Sequence, residues 1–131
     1  MGRPAAKYGD EIKATDTHMV IVPGSPPTQR AAHAFAAVID GALSDNVRIN
    51  RCKAATVGST ATNREPHLPA APGTAFVTAP SNRATICEVS RRVRINGKVA
   101  ARDGDIAETC NDPADAPIGI VVAKGNVRIG D

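Results

Sequence analysis

The side chains with the clearest capacity for chemistry in this sequence are three imidazoles and a thiol. His18, His33 and His67 are its only histidines, and Cys110 is one of three cysteines. Imidazole nitrogens and a thiolate together suit Zn²⁺ in a closed, tetrahedral, structural site. Three of the four share one kind of placement, each following a glycine turn. His18 comes after a Gly9-Asp10 turn, His67 after Gly58-Ser59 and Cys110 after Gly104-Asp105. Each of three similar segments thus delivers one metal-type ligand from the loop behind its glycine turn. A threefold axis relating the segments would bring those ligands together. His33, within Ala31–Ile39 (AAHAFAAVI), is either the fourth ligand or part of a half-buried helical turn.

Those segments are an internal repeat. RPAAKYGD (Arg3–Asp10), VRINRCKAATVGS (Val47–Ser59) and VRINGKVAARDGDIAETC (Val93–Cys110) each carry an Ala-Ala pair and a glycine turn. The first lacks a leading strand, and VRIG (Val127–Gly130) at the far end supplies one. Self-similarity of this kind outranks local propensity. It predicts a threefold object whose Ala-Ala pairs let three chain segments approach one axis. Asn96-Gly97 between alternating runs is a hairpin signal, and Asp10, Asp103 and Asp105 read as turn residues.

Composition agrees with a stapled all-β domain. The chain has 131 residues with two Phe, one Tyr and no Trp, against 11 Gly and 10 Pro. That length predicts one domain, residues 1–131. So few large apolar side chains leave a thin core, and thin cores need a disulfide, a metal or a partner. An odd cysteine count argues against disulfides, and Cys52 and Cys87 read as structural, although a bridge between them stays open. Nothing at the N-terminus resembles a signal peptide, so synthesis in the reducing cytosol is expected. No run approaches a membrane span. Net charge is only +3, and aromatic stacking platforms are missing, which argues against nucleic-acid binding. No Ser/His/Asp or Cys/His arrangement stands out, and a zinc hydrolase would need an open coordination position. The chain reads as non-enzymatic.

Between the repeats the sequence predicts a polar loop over Glu11–Thr17 and a strand over His18–Val22, ended by Pro23–Pro27. A brief helical turn over Ala31–Ile39 follows. Prolines 66, 69 and 72 make Thr60–Gly73 stiff and extended. A strand at Ala75–Thr78 and a hairpin over Thr85–Ile95 come next, then a loop over 111–117 and a strand over 118–123.

Pro4-Ala5-Ala6-Lys7, Lys53-Ala54-Ala55-Thr56 and Val99-Ala100-Ala101-Arg102 resemble the motif of the PAAR-repeat proteins, the spike-tip subunits of contractile injection systems. THMVIVPGSP (Thr17–Pro26), ATVGSTATN (Ala55–Asn63) and TCNDPADAP (Thr109–Pro117) resemble the branch found with phage-tail-like particles. No segment carries the complete tetrapeptide, and the second lacks both its proline and the Gly-Asp. The resemblance implies a conical pseudo-threefold fold with one structural Zn²⁺ at its apex, held by His18, His33, His67 and Cys110. It implies a tip that caps a trimeric β-helical spike protein, one per trimer, and sharpens it for piercing an envelope, with transient contact with the target membrane. Effector cargo would bind noncovalently, since the chain has no room for a fused toxin. Base strands Val47–Asn50, Val93–Asn96 and Val127–Gly130 would continue the ladder of the spike. Such a tip would be assembled into the particle and delivered outside the producing cell or into the target. The alternative is a free-standing zinc-stapled binding or adaptor module.

Overall fold

The computed structural model describes residues 2–24, 27–88 and 92–130, and every regular element in them is a strand. Six strands form a barrel: β2 (Glu11–Ile21), β3 (Thr28–Gly41), β6 (Thr60–Asn63), β8 (Arg83–Glu88), β11 (Ile106–Thr109) and β12 (Ala116–Val122). Their antiparallel order β12-β11-β8-β6-β3-β2 closes through a β12–β2 pairing. Closure removes the free edges that an open sheet would expose. A short strand, β7 (Ala75–Phe76), pairs with β2 beyond the ring. Each repeat contributes one antiparallel pair to the barrel: β2–β3, β6–β8 and β11–β12.

Three small hairpins lie outside the barrel. They are β4 (Arg48–Ile49) with β5 (Cys52–Lys53), β9 (Arg94–Ile95) with β10 (Lys98–Val99), and β13 (Arg128–Ile129) with β1 (Arg3–Pro4). The last joins the two ends of the chain, with Arg3 opposite Ile129, so VRIG does supply the strand missing from the first repeat. Ile49 and Ile129 pack with Ala5, Ala54 and Ala100 in a second small core, flanked by Val47 and Ile95.

Between hairpins and barrel run the Ala-Ala segments, and here the repeat becomes geometry. The Ala6 N–H donates to the Ala101 carbonyl at 2.9 Å, Ala101 to Ala55 at 3.1 Å, and Ala55 back to Ala6 at 3.0 Å. A second set repeats the pattern: Tyr8 to Lys53, Val57 to Val99 and Asp103 to Pro4. All six alanines are at most 1% exposed. Three backbones within hydrogen-bonding distance leave room for a methyl group and little more.

Each segment then turns into the barrel at a glycine with φ between +89° and +94°, namely Gly9, Gly58 and Gly104. The following Asp10, Ser59 or Asp105 side chain accepts the N–H of Lys7, Thr56 or Arg102 at 3.1, 2.9 and 2.8 Å. The acidic residues Asp10 and Asp105 are thus turn residues, as their sequence positions indicate. A Cβ built on Gly58 meets nothing within 4 Å. Gly58→Ala therefore strains only the backbone, and we expect a loss of about 1–2 kcal/mol in urea denaturation.

The structure corrects several local expectations. Glu11–Thr17 is not a loop but the first half of β2, and Ala31–Ile39 is not helical but the heart of β3. In β3 the residues His33, Phe35, Ala37 and Ile39 are buried in strict alternation, a period of two that the alanine-rich sequence disguises. Thr85–Ile95 is not one hairpin: β8 pairs with β6 and β11, while β9 pairs with β10. Residues 89–91 between them, and Ser25-Pro26 of the expected Pro23–Pro27 turn, lie outside the described residues. Cys52 lies on β5 and Cys87 on β8, and neither forms a disulfide. Among the described residues no helix is long and apolar enough to cross a membrane.

Candidate metal centre

One end of the barrel gathers its polar side chains inward. Alternation along β2 points Ile12, Asp16, His18 and Val20 to the interior. On β3, His33 lies directly opposite Asp16. The segment after β6 brings in His67, whose N–H donates to Asn82 Oδ1 at 2.8 Å. The chain leaving β11 brings in Cys110 and is clamped to β2. Asn111 Oδ1 accepts the Thr17 N–H at 2.8 Å, and Asp112 Oδ2 accepts the Met19 N–H at 2.9 Å.

The result is a triangle of imidazoles. Ring centroids of His18, His33 and His67 stand 5.5, 5.1 and 5.4 Å apart in the pairs 18–33, 18–67 and 33–67. Imidazoles sharing one tetrahedral ion would stand about 5 Å apart, given Zn–N bonds of roughly 2.0–2.1 Å. Phe76 packs on His18 and His33, and Phe35 on His67. All three histidines and Cys110 are buried.

Four donor atoms, one each from Asp16, His18, His67 and Cys110, lie within 4.8 Å of one another. His18, His67 and Cys110, which the repeat spacing ties together, therefore do meet, although His18 comes from a strand and not from a loop. His33 borders the group, but its nitrogens face backbone. Nδ1 lies 3.1 Å from the Ala31 carbonyl, and Nε2 accepts the Ala70 N–H at 3.1 Å.

Asp16 is the member that the sequence reading missed. It is wholly buried, with Oδ2 2.8 Å from His67 Nε2 and 3.4 Å from Cys110 Sγ. Its other oxygen accepts from the Thr109 hydroxyl and the Asn111 amide. A signal existed: in Ala14-Thr15-Asp16-Thr17-His18 an i, i+2 spacing puts Asp16 on the face of His18 once the stretch is read as strand.

His18 provides the test of fit. Both its ring nitrogens are buried and have no hydrogen-bond partner among the described residues. The nearest carboxylate, Asp112, is 3.8 Å from Nδ1, too far for a hydrogen bond. An unsatisfied buried polar atom costs about 1–3 kcal/mol, and a metal ion would satisfy one of them. Burial, followed by the facing His67, lowers the His18 pKa. The ring is thereby biased to its neutral, ligating form. Burial, followed by Asp16, pushes the Cys110 thiol up to about 11. An ion must displace that proton, so metal affinity is pH-dependent.

Fold and site together define a class: an all-β domain with a closed six-stranded barrel and a buried Asp/His/His/Cys group that could hold a metal ion. Comparison with protein-family models, curated proteins and solved structures finds no match to this chain.

Proposed function

We propose that this protein is a non-enzymatic spike tip of the PAAR-repeat type, its narrow end tied by one structural Zn²⁺. The observation that carries the reading is the closed ring of hydrogen bonds among Ala6, Ala55 and Ala101. A single polypeptide that reproduces threefold symmetry around such an axis is suited to cap a threefold partner. The partner would be a trimeric β-helical spike protein, one tip per trimer. His18, His67 and Cys110 would hold the ion; His33, the fourth ligand that the resemblance implies, would first have to release the Ala70 N–H that its Nε2 accepts. The cone, the phage-tail-like or type VI machine and noncovalently bound cargo belong to the same proposal. Leu68 and Val77, both more than half exposed beside the metal centre, would be the apolar contact with the target envelope.

The opposite end would dock the spike. Its three short strands each carry one exposed arginine at the same place, Arg48, Arg94 and Arg128. Their guanidinium groups donate to equivalent carbonyls, those of Arg51, Gly97 and Gly2. Three equivalent cations match one carboxylate from each chain of a trimer.

The test is to mix the protein with a trimeric spike protein and weigh the complex by native mass spectrometry. One chain per trimer supports the tip. Binding only to acidic polymers would replace it with the adaptor module. Reversing Arg48, Arg94 and Arg128 to Glu together should weaken spike binding at least tenfold while stability changes by no more than about 0.5 kcal/mol per site.

A further inference from the structure

Asp16 ties β2 to the end of β11 and the segment after it by hydrogen bonds, but its buried charge also calls for a cation. Its carboxylate is fully buried, and among the described residues its ion-pair partner is the imidazole of His67. No lysine or arginine is paired with it among the described residues. A carboxylate withdrawn from water is costly unless a positive charge or a full set of donors accompanies it. Hydrogen bonds from Thr109, Asn111 and His67 supply donors. Next to it His18 leaves two buried nitrogens unsatisfied among the described residues, an independent sign that a ligand belongs in this space.

Charge arithmetic connects the two. A divalent ion held by neutral imidazoles and one thiolate keeps a net charge of +1 in an enclosed site. One further carboxylate brings the sum to zero. Oδ2 of Asp16, 2.8 Å from His67 Nε2 and 3.4 Å from Cys110 Sγ, lies where that charge is needed.

We propose that Asp16 is the counter-charge of the metal centre, a positioning carboxylate that faces the ion between His67 and Cys110. The same residue ties the Thr109–Asn111 segment, and so Cys110, to β2. This inference rests on the metal reading of the site and adds a residue to it. Carboxylates that orient and balance ligands in this way typically change metal affinity 10- to 100-fold when removed.

A merely structural Asp16 and a counter-charge differ in the sign of one effect. Asp16→Asn keeps the shape and an acceptor for Thr109, removes the charge, and turns the acceptor facing His67 and Cys110 into an amide N–H donor, which a neutral imidazole can accept by changing tautomer. Zn²⁺-loaded Asp16→Asn protein should lose 10- to 100-fold in Zn²⁺ affinity by chelator competition and melt below loaded wild type. Zinc-stripped Asp16→Asn protein should melt at or above stripped wild type, because the buried negative charge is gone. Equal destabilisation of both forms would overturn the proposal and leave Asp16 a structural tie. Should the stripped proteins lack a cooperative melt, Co²⁺ loading gives a second readout. The thiolate-to-cobalt charge-transfer band should move in Asp16→Asn, and an unmoved band refutes the proposal. If wild type itself takes up no Zn²⁺, the metal reading fails. If wild type loads one ion and Asp16→Asn loads it with equal affinity, only this inference fails.

Discussion

Replacing Cys110 with serine should release the metal ion and, with it, about 3–5 kcal/mol of folding stability. The figure follows from what the ion would hold. His18 and Cys110 belong to segments 92 positions apart by residue number, and His67 arrives on a third segment with little apolar area of its own. An ion that ties these segments makes its binding free energy part of the folding free energy, and loss of a structural metal belongs to the short list of large single-residue effects. The barrel supplies the remainder, so the loss stops well short of the whole binding energy of a small zinc domain. Serine nearly preserves volume and forfeits the thiolate. In zinc-free protein the same change should cost about 1 kcal/mol or less, because the serine hydroxyl can donate to Asp16 Oδ2 as the thiol does. Urea denaturation of both proteins, with and without a chelator, separates the two cases. A wild type that binds no metal and melts unchanged after chelation would sink the expectation. Because the metal-free thiol has its pKa raised to about 11, Zn²⁺ uptake near neutral pH should also release the Cys110 proton.

What could be read in the sequence follows from where information is concentrated. The repeat is written in small residues at fixed spacing, and Ala5-Ala6, Ala54-Ala55 and Ala100-Ala101 do meet, buried and hydrogen-bonded, around one axis. The glycine turns were equally legible, since a φ near +90° leaves few alternatives. The barrel strands were harder. In AAHAFAAVI alanine occupies both faces, so the alternation of His33, Phe35, Ala37 and Ile39 is masked and helix propensity wins a local reading. β3 is fixed instead by its pairing with β2 along eleven residue pairs, from Glu11 opposite Val38 to Ile21 opposite Thr28. Missing the first half of β2 had a further consequence: it hid Asp16. A polar run such as Glu11–Thr17 looks like a loop until its alternate members are seen to point into a cavity that wants polar groups. The metal-type residues stand out because their chemistry is rare in this chain. Their carboxylate neighbour does not, because aspartate is common in turns.

The second large effect should come from the alanine axis. Ala55→Leu is expected to cost about 3 kcal/mol or more, although it adds only apolar atoms. Overpacking a core usually costs about 1–3 kcal/mol, with the structure shifting to relieve part of the strain. Here relief is blocked. The Ala55 N–H donates to Ala6 at 3.0 Å and its carbonyl accepts from Ala101 at 3.1 Å, so a backbone shift at one segment breaks bonds to both others. Ala32→Leu, on an exposed position of β3, is the control and should stay within about 0.5 kcal/mol of wild type. Ala6→Leu and Ala101→Leu carry the argument further. If three segments are equivalent about one axis, the three substitutions should cost the same to within about 1 kcal/mol. Combined in pairs they should fall short of additivity, since the first leucine already forces the axis open for the second. Denaturation midpoints for the three single and three double variants measure this directly. An Ala55→Leu protein as stable as wild type would mean that the axis holds unused space. Costs differing severalfold among the three sites would mean that the sequence repeat does not carry through to the packing.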